Sequence, residues 1–246
     1  MEEKAEDTFR FVQLNVGNMA EKRNSAQFRA FTGKVEEVQA DCVTCQELNR
    51  VWHRLTEADR LYERFRGVFE AVHLCECRYH NDTFARGSHQ YGGTMVMSVG
   101  PAAHAIHSVG HRAYDPKGLG RWSATRYAGK YGRALRVISA YRPNRNKGGE
   151  LSVYSQHMAR LAELNDDRDP SKAFDEDLHE AISEWRDEGD SIILGIDFND
   201  DVRARSTMEL FEALQMREVL LERHGAEGPE TYAGRWTGFL RPIILV

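Results

Sequence analysis

Six polar residues stand where apolar, strand-like runs end: Asn15, Glu47, the pair Tyr141 and Asn144, and Asp197 with Asn199. At such positions side chains leave a sheet and can converge. Taken singly, an Asn or Asp after a strand is an ordinary turn former. Taken together, they make a set of carboxylates and amides with no His or Cys among them. Such hard oxygen donors suit Mg²⁺ or Mn²⁺ better than zinc.

The elements that must position these residues follow from periodicity. Thr8 to Val16 alternates as a strand, with Phe9, Phe11, Gln13 and Asn15 on one face and Arg10, Val12, Leu14 and Val16 on the other. Phe28, Phe31, Val35 and Val38 form the apolar stripe of a helix. A short strand ends at Gln46, a polar helical stretch runs from Glu57 to Arg66, and a strand is predicted from Val68 to Leu74. After a loop from Arg78 to Gln90, Gly92-Gly93 opens a strand from Thr94 to Val99. Ala102 to Val109, Trp122 to Tyr127 and Ala134 to Tyr141 read as further strands. Leu151 to Leu164 is predicted as a helix with Leu151, Tyr154, Met158 and Leu161 along one side. In the next helix Asp169 caps, Pro170 takes the first helical position, and Phe174, Leu178, Ile182 and Trp185 are buried. Gly189 ends it. Ser191 to Asp197 is a buried strand, and Ser206 to Leu214 a last short helix. Mixed strands and helices of this kind imply α/β or α+β layers around one core.

The 246 residues suffice for one large domain or two small ones, and 41% hydrophobic content makes a sizeable core feasible. No apolar run reaches the ~20 residues of a membrane span, and the polar, acidic start is unlike a secretory signal. Cys42/Cys45 and Cys75/Cys77 have a spacing that zinc sites use. Cys42 and Cys45 lie in a strand-like run, however, so they should face opposite ways, as buried free thiols. His104, His107 and His111 have helical spacing, but their surroundings read as strand and loop.

The net charge of −5 hides a segregation. Between Pro116 and Gly149 there are nine basic residues and no acidic one, whereas Glu163 to Asp190 carries twelve acidic residues against three basic. One reading is a face that approaches phosphate. The other is an ordinary surface with its charges paired.

The chain resembles the endonuclease/exonuclease/phosphatase superfamily through five motifs in order. These are Asn15 in Gln13-Leu-Asn-Val-Gly17, Glu47 in Cys45-Gln-Glu-Leu48, Gly92-Gly93 before a strand, Tyr141-Arg-Pro-Asn144, and Gly195-Ile-Asp-Phe-Asn199. Gly120-Arg-Trp-Ser to Ser139-Ala-Tyr-Arg-Pro143 further resembles endonuclease domains of retroelements. The resemblance implies a deoxyribonuclease I-like, four-layer α/β sandwich: two packed mixed β-sheets flanked by helices. It implies metal-dependent attack of water on a phosphate ester, with one Mg²⁺ (or Mn²⁺) held by Glu47 and Asn15. Asp197 would prepare the water, Asn199 would hold the water or phosphate, and Tyr141 and Asn144 would contact the scissile phosphate. Arg121, Arg126, Arg142 and Arg145 are the expected contacts to a nucleic acid, DNA rather than RNA.

The pattern departs from the family at its end. The family's last motif, Ser-Asp-His, does not occur in this sequence; its final His is His224. Thr231-Tyr232 and Arg241-Pro-Ile243 resemble the stretch just upstream of that motif, with Ile244 where an Asp is expected. Gly195-Ile-Asp also differs from the usual Gly-Asp by one position. The expectation is a flexible N-terminus over residues 1–8 and one domain over 9–246, C-terminally truncated and lacking its last strands. The protein is expected to be monomeric and intracellular, nuclear included, and to turn over weakly or not at all.

Overall fold

The computed structural model describes residues 4–5, 8–19, 25–51, 54–107, 114–145, 149–201, 203–225 and 244–245. Its strands form two four-stranded sheets. The first contains β1 (Phe11–Asn15), β2 (Cys42–Gln46), β3 (Val72–Cys77) and β4 (Thr94–Val99) in the order β1-β2-β4-β3. The second contains β5 (Trp122–Ala128), β6 (Ala134–Tyr141), β7 (Asp190–Asp197) and β8 (Ile244–Leu245), in sequence order. β1 runs parallel to β2, and β6 parallel to β7. Asn15 therefore lies level with Gln46, and Tyr141 with Asp197.

Strand alternation sorts the core into layers. Leu14, Val43, Cys45, Met95 and Met97 face outward from the first sheet, onto Phe28 and Val35 of α1 (Ala26–Glu37) and Leu61 and Phe65 of α2 (Leu61–Arg66). Trp122, Ile138, Leu194 and Ile196 face outward from the second sheet, onto Phe174, Leu178, Ile182 and Trp185 of α5 (Pro170–Asp187). Phe211 of α6 (Arg205–Ala213) joins that layer. Between the sheets lie Phe11, Cys42, Val96, Tyr127, Val137 and Ile193. The result is the expected four-layer sandwich. Cys42 and Cys45 fall in different layers, as the pleat requires.

The sheets approach closely beneath the strand ends. A Cβ on Gly195 would lie 2.4 Å from the Thr44 hydroxyl and 3.0 Å from the Phe11 ring, so only glycine fits. That contact explains the Gly-x-Asp spacing. Gly195 and Asp197 share the inner face of β7, two residues apart, so one admits the other sheet and the other projects beyond it.

Several predicted elements shift. The strand expected at Val68–Leu74 is β3, which starts at Val72. Val68 and Phe69 are consumed by the turn closing α2, both donating to the Phe65 carbonyl at 2.9 Å. The strand expected from Ala102 begins instead as a one-turn helix, α3 (Pro101–His104), because Gly100 at φ 57° redirects the chain and Pro101 opens a helix; residues 108–113, including His111, lie outside the described residues. In α4 (Val153–Glu163) Met158 is exposed. Gln156 and His157 are buried in its place, holding carbonyls of neighbouring loops. The helix α7 (Val219–His224) was not anticipated. The outer edge of β7 is paired with β8 over two positions. Within the expected flexible N-terminus, Lys4 pairs with Asp41 at 2.5 Å. Among the described residues no helix is long and apolar enough to cross a membrane.

Candidate active site

The parallel pairs β1/β2 and β6/β7 end at the same rim, and each delivers a polar side chain there. Asp197, only 3% exposed, accepts a hydrogen bond from the Asn15 amide at 2.5 Å and from the Asn199 backbone N–H at 3.0 Å. This first bond spans the two sheets. Asn199 donates its side-chain amide to the Arg142 carbonyl at 2.8 Å, and Asn144 donates to the Asn199 carbonyl at 2.7 Å. Asn144, Asn199 and Asp197 are thus one connected chain after β6 and β7. Buried Tyr141 sits beside the Glu47 and Asp197 carboxylates and Asn199. Burial, reinforced by the Glu47 and Asp197 carboxylates, pushes its phenol well above the usual tyrosine range. Tyr141 therefore stays a proton donor at any working pH.

Behind the rim, two glutamines tie the sheets together. Gln13 donates to the Ile196 carbonyl at 2.9 Å and to the Gln46 side chain at 3.3 Å. Gln46 donates to the Ser139 hydroxyl at 2.9 Å and the Gly195 carbonyl at 3.2 Å. Each contact is one or two residues from a site residue, so these bonds fix the relative heights of Asn15, Glu47 and Asp197. In a buried setting, unmade bonds of this kind would cost about 1–3 kcal/mol each.

The loop after β2 is held in an unusual shape. Glu47 and Asn49 have φ 56° and 53°, and Asn199 has φ 55°. For residues with a Cβ, this left-handed geometry costs about 1–2 kcal/mol. Asn49 holds it in place, donating to the Gly17 carbonyl at 2.7 Å and accepting from the Gly92 N–H at 2.7 Å. Gly92 and Gly93, at φ 108° and 91°, answer from the start of β4. The glycine pair thus has a structural reason: it lets β4 bond back to Leu48 and Asn49. At the site opens a cleft of about 530 Å³, lined by Glu47, Asn49, Tyr91, Tyr141 and Asn144 and by residues 149–154.

The arginines do not join this cleft in the way expected. Arg121 is 0% exposed at its side chain, paired with Asp115 at 2.7 Å and with Asp177 at 2.8 Å. Burial alone would lower its pKa; Asp115 and Asp177 override that and hold it above the ordinary value. Arg126 pairs with Asp190 at the opposite end of β7 from Asp197. The side chain of Arg142 is engaged by both oxygens of Asp175, at 2.7 Å each, and only its backbone serves the site. Arg145 is exposed, with its guanidinium 6.0 Å from the centre of the Tyr154 ring. The pairing extends along the segment. Lys117 meets Asp166 and Asp177, and Arg136 meets Asp190 and Glu188. Five of the nine basic residues of the run, Lys117, Arg121, Arg126, Arg136 and Arg142, thus pair with carboxylates of the acidic run, and that part of the charge segregation records an internal seam.

Sequence reasoning missed Asn49, Tyr91, the two glutamines and the 149–154 wall. Asn49 was visible as the residue two beyond Glu47, and Tyr91 as the aromatic preceding Gly92-Gly93. Nothing local marked the wall, which comes to the site through the packing of α4.

Three solved structures show what this arrangement is similar to. An AP endonuclease from Leishmania major superposes with a TM-score of 0.62 at 17% identity, covering 96% of this chain and 78% of that one. An endonuclease/exonuclease/phosphatase family protein from Leptotrichia buccalis gives 0.56 at 14%, covering 97% and 87%. The Neisseria 3′ phosphatase NExo, bound to a product DNA hairpin, gives 0.56 at 15%, covering 97% and 86%. No protein-family model matches the chain, and no curated protein matches it by sequence. The chain has the deoxyribonuclease I-like fold of the endonuclease/exonuclease/phosphatase superfamily.

The donor set fits a Mg²⁺-type ion. Among the described residues there is no cluster of three or more His, Cys, Asp or Glu side chains. Mg²⁺ does not ask for one: it keeps several waters and takes one or two carboxylates together with substrate phosphate. Glu47, partly exposed at the cleft, offers one such carboxylate, and the Asn15 amide oxygen, which accepts from the Gly17 N–H at 2.9 Å, keeps a second lone pair.

Proposed function

We propose that the protein hydrolyses a phosphodiester bond of nucleic acid, DNA in the first instance, at the rim formed by β1, β2, β6 and β7. The observation carrying this reading is the link across the sheets from Asn15 through Asp197 to Asn199 and Asn144, beside Tyr141 and Glu47. Glu47 and Asn15 would hold one Mg²⁺ or Mn²⁺, which when bound supplies positive charge against the phosphate oxygens. Asp197 is positioned by its two hydrogen bonds to take the proton of the attacking water. The Tyr141 hydroxyl donates a hydrogen bond to a phosphate oxygen as charge develops there. Asn144 and Asn199 orient the phosphate. The bond from phosphorus to the leaving oxygen breaks, and that oxygen takes its proton from solvent.

The similarity to a 3′ phosphatase bound to a DNA hairpin supports nucleic acid as the substrate class. The size of the cleft favours a second reading, a phosphomonoester on a small molecule. The pairing of Arg121, Arg126, Arg136 and Arg142 with carboxylates weighs against a third, a non-catalytic binder of polyanions.

Prolonged incubation of a labelled oligonucleotide with protein and Mg²⁺ or Mn²⁺ tests the reading. Slow cleavage that EDTA stops and Asp197→Asn abolishes is expected. Cleavage indifferent to Asp197→Asn would assign it to a contaminant and defeat the proposal.

A further inference from the structure

Tyr91 lines the cleft and is 47% exposed, so its side chain is open to a ligand there. Its backbone is unusually well fixed. Gln156, 1% exposed, donates to the Tyr91 carbonyl at 3.1 Å and to the Leu151 carbonyl at 3.0 Å. Gln90, 3% exposed, donates to Gln156 at 2.8 Å and to the Tyr79 carbonyl at 3.0 Å. Two buried amides thus clamp the Tyr91 segment to the start of α4, on the far side of the cleft. On its other side Gly92 is bonded to Asn49, two residues from Glu47. His89 packs edge-on against the Tyr91 ring at 4.6 Å between centroids, steadying the ring as well. A rigid backbone carrying an exposed ring beside a phosphate site is a preorganised stacking platform.

We infer that Tyr91 stacks on the base of the nucleotide whose phosphate occupies the Glu47–Asn144 site, and so selects substrates with an open base face. This rests on the nucleic-acid reading above and narrows it. Inside a duplex both faces of every base are already stacked, so Tyr91 can engage only a strand end, an unpaired nucleotide or an extruded base. A cleft of about 530 Å³ is of the size that receives one small-molecule unit. Tyr154, tied through its hydroxyl to Asp169 at 2.5 Å with Arg145 over its ring, closes the opposite wall.

The test is binding of a single-stranded DNA oligonucleotide carrying 2-aminopurine at its 3′ end, with Ca²⁺ in place of Mg²⁺, read by fluorescence quenching and anisotropy. Wild type is expected to quench the probe, Tyr91→Phe to behave alike, and Tyr91→Ala to bind about 5- to 100-fold more weakly without quenching. A blunt duplex with internal 2-aminopurine is expected to show no dependence on Tyr91. Unchanged binding and quenching in Tyr91→Ala, with binding lost in Asn144→Ala, overturns the stacking role and leaves the site standing. Binding unchanged in both variants overturns the stacking role together with the placement of nucleic acid in this cleft.

Discussion

Two buried polar regions lie within the second sheet's surroundings, and they are built on opposite principles. In the seam between the basic and acidic runs, charges meet charges: Arg121 with Asp115 and Asp177, Arg126 and Arg136 with Asp190, Arg142 with Asp175. At the rim, neutral amides hold a carboxylate, and Glu47 faces the cleft on a strained backbone. The seam resolves its own electrostatics and has nothing left to offer a ligand. The rim is held in place by the Gln13, Gln46 and Asn49 bonds, while Glu47, Tyr141 and Asn144 line the open cleft. Charge in the sequence therefore points to stability, and uncharged amides at strand ends point to chemistry.

The sharpest way to break this comparison is to remove one seam charge. Arg121→Ala leaves Asp115 and Asp177 buried without their cation and is expected to cost about 3–5 kcal/mol in urea unfolding. Chain that remains folded should bind oligonucleotide as wild type does. A large loss of affinity at little cost in stability would move Arg121 from the seam to the substrate.

Acid should strain the seam before it strains the rim. His157, beside Arg121, is driven down to about 3 by burial and then by that guanidinium, so it is neutral in the folded protein. The unfolded chain protonates it below its ordinary value near 6.5. Its contribution is therefore complete above pH 6.5 and is lost as pH falls from there toward 3. At pH 5 the loss should be about 2 kcal/mol. His157→Gln, which keeps a donor for the Leu119 carbonyl, should flatten the melting temperature between pH 7 and pH 5 relative to wild type. An equally steep profile in the variant would assign the acid sensitivity elsewhere.

The smallest expected effect concerns the rim. Glu47→Gly relieves a left-handed residue of its Cβ, so thermal melting should show no loss of stability and a gain of up to about 1 kcal/mol. Oligonucleotide binding in Ca²⁺ should fall sharply in the same variant. A pronounced loss of stability would mean that Glu47 supports the fold.

The sequence carried most of the layer order, because alternation and helical stripes are local. Strand β6 and the cap, stripe and end of α5 are where periodicity and turn chemistry put them. Misplacements arose where a local turn interrupted an apolar run: the turn closing α2 displaced the start of β3, and Gly100-Pro101 turned an apolar run into a helical turn. The rim residues were legible as polar positions after apolar strands, though their convergence depends on sheet packing that Gly195 permits and no spacing reveals. Arg121, Arg126 and Arg142 are turned to carboxylates for a related reason. A run of basic residues looks free until the fold shows which acidic run lies against it.

Titration of the protein with Mn²⁺, followed by calorimetry in wild type, Glu47→Ala and Arg142→Ala, tests the central claim most directly. The account predicts one ion bound in wild type, lost in Glu47→Ala and kept in Arg142→Ala. No binding in wild type, or binding untouched by Glu47→Ala, would contradict it.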